Sequence, residues 1–298
     1  MPLNGTLQSY DIVGKKENVE DIIYDISPTD TPFLSSIGTA KANATVYQWQ
    51  QDKLAAVTAN AAVEGAVAGT GVQDTTTIKT ANTQIFRKTV EVSGTARAVG
   101  LYGRADELAR LVAKKGREIK RDMEHAMVGN NQAGTAGNGT TARQLTSAQN
   151  QISAGTTNTS GSARALSEPL VLDVMQKVFN AGGNPNQLQV TPAHSLIVAG
   201  FAASSGRTRD FGTQKKVVNA VDLYVSPFGE VSVVPNRFLQ STTALVLDTE
   251  YWSRAVLRPM QTIVLAKDGD SDKRLMVTEL TLACENDEAS GLISNLTA

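Results

Sequence analysis

Residues 104–129 carry a long, one-sided amphipathic pattern that constrains the fold more than any other feature of the chain. Apolar residues recur there at steps of three, four and seven, which predicts a helix, and the intervening positions are densely charged. Such a helix would be about 39 Å long at 1.5 Å per residue. A helix of this length with one apolar face must lie across a sheet, so we expect an α+β fold. Gly129-Asn130 should end the helix.

Two stretches before this helix alternate in the manner of strands. Residues 45–50 place Tyr47 and Trp49 on one face, and residues 84–92 alternate as well. If the two pair across the Ala-, Gly- and Val-rich middle, they predict a ribbon whose arms reach roughly 60 Å at about 3.3 Å per residue. An isolated two-stranded ribbon is marginal in water, so this one should rest on another subunit. The alternative is a compact all-β subdomain that closes on itself.

Residues 1–40 resemble an extended arm. Residues 18–26 have helical spacing, and residues 29–34 read as extended chain with Phe33 and Leu34 as apolar anchors. Such an arm would pack on another subunit, and deleting residues 1–35 should then leave a soluble protein that assembles poorly. An ordinary strand and helix within the same domain explains the pattern equally well.

The second half of the chain reads as compact α/β. Residues 129–165 are predicted as a long loop or loose hairpin, and Ser167 should cap a helix with an apolar stripe from Val171 to Phe179 that Gly182 ends. Residues 287–296 read as a short tail. Between them lie further predicted elements: strands at 188–190, 221–225, 231–234, 245–247, 255–265 and 274–284, and a helix at 192–203.

The composition and motifs indicate neither an enzyme nor a cofactor site. Lys+Arg 28 against Asp+Glu 29 gives a net charge of -1, without the basic excess of a protein that tracks phosphates. His125 and His194 have no cysteine or histidine at metal-ligand spacing, and Cys284 is the single cysteine. We therefore expect no catalytic residue, no metal and no cofactor. No signal peptide and no apolar run near the ~20 residues of a membrane span are present, which predicts a soluble chain made in a cytosol.

Several side chains are candidates for contact with other subunits. Glu64 is alone in an apolar stretch, and Arg207 and Arg209 lie on a predicted exposed loop, although simple solvation explains these charges as well. The full set of candidates is Phe33, Leu34, Tyr47, Trp49, Glu64, Arg87, Arg207 and Arg209.

Three stretches of the sequence carry a resemblance. They are Asp25-Ile26-Ser27-Pro28-Thr29-Asp30-Thr31-Pro32-Phe33-Leu34-Ser35-Ser36-Ile37-Gly38, then Tyr47-Gln48-Trp49-Gln50-Gln51-Asp52-Lys53-Leu54 followed by Glu64-Gly65, and Asp222-Leu223-Tyr224-Val225-Ser226-Pro227-Phe228-Gly229 with Val233-Val234-Pro235-Asn236-Arg237. Together with the order of elements, they resemble the Hong Kong 97-type coat-protein fold of tailed bacteriophages, and within it a group related to phages with SU10-like capsids.

This resemblance implies a major capsid protein that assembles into pentamers and hexamers of an icosahedral shell around double-stranded DNA. Scaffolding, portal and decoration proteins would be its further partners, and the virion capsid its location after synthesis in the bacterial cytoplasm. Because the chain begins almost at its signature with Met1, we expect a cleaved scaffolding segment to be absent. The implied parts are an N-terminal arm (1–40), an extended loop (41–95), a peripheral domain with a spine helix (96–165, helix 104–129), an axial domain (166–254) and closing strands of the peripheral domain (255–298).

Two alternatives remain open. An encapsulin-type nanocompartment shell shares this fold but encloses protein cargo, and the signature around Pro28 and Pro32 favours the phage coat protein. A soluble hydrolase that uses His194 or a pair of carboxylates belongs to a different class, and a purified monomer with a deep ligand pocket would favour it.

Overall fold

The computed structural model describes residues 27–67, 69, 71, 73, 75–99, 106–204 and 223–297. The helix expected at 18–26 and the candidates Arg207 and Arg209 lie outside these residues. The helices are α1 (Pro32–Ser36), α2 (Gly94–Ala98), α3 (Glu107–Glu124), α4 (Ala148–Gln151), α5 (Glu168–Asn180) and α6 (Pro192–Ser204). The strands are β1 (Gly38–Lys41), β2 (Val46–Gln51), β3 (Thr77–Asn82), β4 (Gln84–Ser93), β5 (Thr157–Asn158), β6 (Gln187–Val190), β7 (Leu223–Ser226), β8 (Gly229–Pro235), β9 (Ala244–Leu247), β10 (Trp252–Val264), β11 (Ser271–Cys284) and β12 (Gly291–Ile293).

A four-stranded sheet with the order β1-β10-β11-β4 carries α3 on one side. The Asp106 side chain caps this helix by accepting a hydrogen bond from the backbone N–H of Leu108 at 2.9 Å. Ile119 and Met123 are buried against the sheet. The helix continues into a π-helical turn, His125–Gly129, so its predicted end at residue 129 is confirmed and the regular helix begins at Glu107.

A six-stranded sheet with the order β5-β12-β9-β6-β8-β7 forms the second core. Helix α5 packs on it through Val174 and Val178, and a Cβ added at Gly291 would lie 2.2 Å from Val174 Cγ1. Phe179, predicted in the same apolar stripe, is instead 55% exposed because it lies at the edge of the buried face. The predicted tail at 287–296 is wrong in part, since β12 lies inside this sheet between β5 and β9.

The strand pairing predicted for the ribbon is wrong. Strand β2 pairs with β3, whereas β4 pairs with β11 over ten residues, from Gln84 opposite Leu280 to Ser93 opposite Ser271. The buried Thr83 separates β3 from β4 and donates a hydrogen bond to Glu279 of β11 at 2.9 Å. The paired ribbon therefore has six residues in each strand, which is about 20 Å and not 60 Å.

The described part of the arm belongs to the main core. Pro32 begins helix α1 where extended chain was predicted, because proline fits the first helical turn. Phe33 and Leu34 are 0% and 4% exposed, and the Phe33 ring meets Trp252 edge-on at 5.7 Å. These two side chains therefore have no surface left for a neighbouring subunit, which corrects their assignment as contact residues. The same-domain alternative describes residues 27–41, since β1 pairs with β10.

Candidate functional site

The titratable side chains of the described residues do not form a metal-binding cluster. No group of three His, Cys, Asp or Glu side chains in this part of the chain could hold a metal ion. His194 is buried with its Nε2 atom 2.9 Å from the Thr297 carbonyl, and burial raises the pKa of the Cys284 thiol well above its ordinary value. That thiol is therefore protonated and unreactive. Across the same residues, no helix is both long enough and apolar enough to cross a membrane.

The segment of residues 54–67, which we call the loop tip, exposes apolar side chains to water. Leu54, Val57, Val63 and Val67 are each at least 82% exposed. Each buried apolar Å² is worth roughly 25 cal/mol, so four such side chains in water represent a free-energy cost that a covering surface would remove. Exposed apolar groups concentrated in one segment indicate a contact with another protein surface.

Glu64 lies in a tight turn at residues 63–66, within the loop tip. The backbone N–H of Ala66 donates to the Val63 carbonyl at 3.0 Å, and Gly65 has a φ of 81°. A positive φ at the third turn residue favours glycine, which has no Cβ to clash. Glu64 occupies the second turn position and is exposed. Its exposure agrees with the predicted contact role, while its pairing with another subunit stays a prediction.

The base of the loop is held on the chain's own body. The contacts are made to the turn of residues 285–288. Lys79 forms an ion pair with Asp287 at 3.0 Å, Lys53 pairs with Glu288, and the Gln51 side chain donates a hydrogen bond to the carbonyl of residue 285. A cleft of about 1010 Å³ lies between the ribbon and this turn. Exposed pairs of this kind contribute at most ~1 kcal/mol each, so they orient the ribbon more than they stabilise the fold.

Tyr47 and Trp49 lie on one face of β2, as the alternation predicted. Their ring centroids are 5.9 Å apart, and both are half-buried. The Trp49 Nε1 atom is shielded from solvent and has no hydrogen-bond partner in the described chain. An unpaired indole N–H costs free energy, and a neighbouring acceptor would offset it. The predicted contact role of these two aromatic residues stays a prediction.

Arg87 lies on the open face of the four-stranded sheet, opposite the side that α3 covers. Its guanidinium is exposed and forms no ion pair with the described residues. With Ile85 and the hairpin of residues 135–144 it lines a depression of about 480 Å³. The structure therefore places this predicted contact residue at a concave surface, which the sequence did not predict.

A buried carboxylate, which the sequence reasoning missed, joins the arm to both cores. Glu124 is fully buried at the end of α3 and accepts hydrogen bonds from the backbone N–H groups of Phe33 and Leu34 at 2.9 and 2.7 Å. The Asn236 side chain, after β8, donates to it at 2.6 Å. The signal that could have identified it is its position three and four residues before the buried Met127 and Val128. The charge pattern of residues 104–129 predicts Glu124 on the exposed face of the helix, and this prediction is wrong.

We expect the stability of the chain to depend on the ionisation of Glu124. Burial raises the pKa of its carboxyl above the ordinary value, against the opposing effect of the three hydrogen bonds. The stability that the protonated form contributes is thus fully present below the unfolded pKa, about 4.3, and is lost as pH rises through the folded pKa. Urea denaturation over a pH series should show the native chain losing stability relative to E124Q as pH rises above that value. A constant or opposite difference would contradict this expectation.

Comparison with known sequences assigns the family. The model of the SU10 major capsid protein matches residues 4–297. The major capsid protein of Escherichia phage Phieco32 is 31% identical over 336 aligned positions, which cover 96% of this chain and 95% of that protein.

Comparison with solved structures assigns the fold. The capsid of cyanophage A-1(L) aligns with a TM-score of 0.71 at 12% identity, over 98% of this chain and 99% of that chain. A chain from Mycobacterium phage Adephagia aligns with a TM-score of 0.65 at 13% identity, over 98% and 99%. The SrpI encapsulin complex of Synechococcus elongatus PCC 7942 aligns with a TM-score of 0.61 at 11% identity, over 95% and 92%. The chain belongs to the SU10 major capsid protein family, has the Hong Kong 97-type α+β fold and is a capsid shell protein.

Proposed function

We propose that this capsid protein assembles with copies of itself into pentamers and hexamers of an icosahedral shell that encloses the double-stranded DNA of a tailed phage. The observation that carries the proposal is the loop tip, whose apolar side chains are exposed at the end of an anchored ribbon. A net charge of -1 suits a shell that encloses DNA better than a protein that binds the DNA phosphates.

The parts of the chain take the roles that the family resemblance implies. Residues 41–95 form the extended loop, although only β2, β3 and the segment between them project from the main sheet. Residues 166–254 form the axial domain around the fivefold and quasi-sixfold axes, together with β5 and β12, which complete its six-stranded sheet. The remainder forms the arm and the peripheral domain. Because loop and arm would engage several neighbours at once, each single contact can be weak while the shell is stable.

Scaffolding, portal and decoration proteins are the further partners in this proposal. Synthesis would take place in the bacterial host cytoplasm, before assembly into the virion capsid. The encapsulin alternative shares the fold, and the match to a phage capsid family over residues 4–297 favours the phage coat.

Replacing Leu54, Val57, Val63 and Val67 with serine tests the role of the loop tip. These side chains are at least 82% exposed in the described part of the chain, so the thermal unfolding of the variant should match that of the native protein. Assembly should fall at least about tenfold, measured as the particle fraction on size-exclusion chromatography. That is a loss of about 1.4 kcal/mol, less than burying one of these side chains contributes.

A matched control changes the same loop without removing large apolar groups. It replaces Ala55, Ala56, Ala61 and Ala62 with serine, and we expect it to assemble nearly as well as the native chain. Native-like assembly of the variant that lacks the four larger side chains would argue against the proposed role of the loop.

A further inference from the structure

Arg87 and its surroundings form a site that none of the described residues occupies. Within the described residues its guanidinium has no carboxylate partner, and the neighbouring Ile85 is 46% exposed. Ala136 and Ala142 line the opposite wall of the 480 Å³ depression. The rest of the wall is formed by Gly137 and by the polar residues Asn138, Thr141 and Arg143. The site therefore combines one unpaired cation with a wall of small and polar residues, which suits an extended, alanine-rich segment carrying one negative charge.

The walls of this depression are preformed. The Arg143 side chain donates through Nε to the Thr83 carbonyl at 2.8 Å and pairs with the buried Glu279. Gln132 donates to the Leu145 carbonyl at 2.8 Å, which joins the two strands of the hairpin at its base. A ligand segment would thus bind without first ordering the hairpin, which lowers the entropic cost of binding.

The loop tip has the complementary composition. Between Lys53 and Asp74, Glu64 is the single charged residue, and alanine and valine dominate the rest. The turn at residues 63–66 holds Glu64 midway along the connection between β2 and β3, and no described residue pairs with its carboxylate. Glu64 lies 13 residues from both Gln51 and Thr77, the ends of β2 and β3. At about 3.3 Å per residue it can therefore reach about 43 Å from the ribbon and contact a second molecule.

We propose that the loop tip of one copy docks in this depression of a second copy, with Glu64 paired to Arg87. The inference rests on the proposed self-assembly and names the surface that the loop contacts. Burial of the apolar side chains supplies most of the affinity. The ion pair, which is worth little when exposed, sets the register of the loop and excludes misaligned contacts.

Charge reversal in the full-length chain tests the pairing. We expect E64R and R87E each to require about tenfold more protein for half-maximal assembly, measured by light scattering and electron microscopy. The double variant E64R/R87E should recover to within about threefold of the native chain. The matched control E64R/K114E reverses an exposed cation on α3 and should not recover. Both side chains are exposed, so the unfolding temperature of each variant should match that of the native chain.

The outcomes separate this inference from the proposed function. Native-like assembly of either single variant would overturn the pairing and leave self-assembly standing, as would a double variant that recovers no better than E64R/K114E. A native chain that forms no particles under any condition that yields folded protein would overturn the proposed function, and the inference with it.

Discussion

Replacing Glu124 with alanine is expected to lower the free energy of unfolding by about 3–5 kcal/mol. The substitution leaves three buried donors without an acceptor, namely the backbone N–H groups of Phe33 and Leu34 and the side-chain amide of Asn236. Each unsatisfied buried donor costs about 1–3 kcal/mol. Urea denaturation of the unassembled chain at neutral pH measures the loss.

A surface carboxylate on the same helix provides the control. Glu118 pairs with Lys115 at 2.7 Å, three residues away, and the pair is partly exposed. Glu118→Ala should therefore change the free energy of unfolding by less than about 1 kcal/mol. Equal effects of the two substitutions would contradict the role assigned to Glu124 in joining α1 and β8 to α3.

Replacing Trp252 with alanine is expected to cost about 3–5 kcal/mol as well, the range for a buried large aromatic side chain. Its side chain is fully buried, packs edge-on against Phe33 and donates through Nε1 to the Ser290 hydroxyl at 2.8 Å. The substitution removes the aromatic contact between the arm and the sheet, while the β1–β10 pairing remains, and it also leaves a cavity. Thermal and urea unfolding of the purified chain give the measurement.

The adjacent Tyr251 is the matched control for Trp252. It precedes β10 directly and is 39% exposed. Tyr251→Ala should cost clearly less, by at least about 2 kcal/mol, because less of its surface is buried. A Trp252→Ala variant as stable as Tyr251→Ala would show that the arm does not depend on this contact.

Local periodicity predicted the elements that depend on local sequence. Helix α3, helix α5 and the β7–β8 hairpin each contain their own start and stop signals. Ser167 occupies the N-cap position of α5 as predicted, but its side chain makes no capping hydrogen bond. Gly182 has a φ of 90° directly after α5, as its predicted role in ending the helix requires. These signals act over a few residues, so the local sequence is enough to predict these elements without knowledge of tertiary contacts.

Strand pairing could not be predicted in the same way. Residues 45–50 and 84–92 both alternate, and alternation does not identify a partner. The partner of β4 is β11, and its register is set by contacts almost 200 residues away, including that between Thr83 and Glu279. The short β12 strand likewise depends on its neighbours in the six-stranded sheet and not on its own pattern.

The candidate contact residues also differ in whether local sequence or distant contacts decide their position. The exposed position of Glu64 followed from its isolation in an apolar stretch. The sequence around Phe33 and Leu34 would look the same whether these side chains pack on a neighbouring subunit or on their own core. Only the contacts with Glu124 and Trp252 distinguish the two cases. Deletion of residues 1–35 should consequently impair folding as well as assembly, so it no longer isolates the arm's role between subunits.

Electron microscopy of the purified, full-length protein after size-exclusion chromatography tests the central claim most directly. A shell subunit that works by self-association should form closed shells, or rings of five and six copies. A uniform monomer that persists at high concentration and in the presence of a crowding agent would contradict the claim.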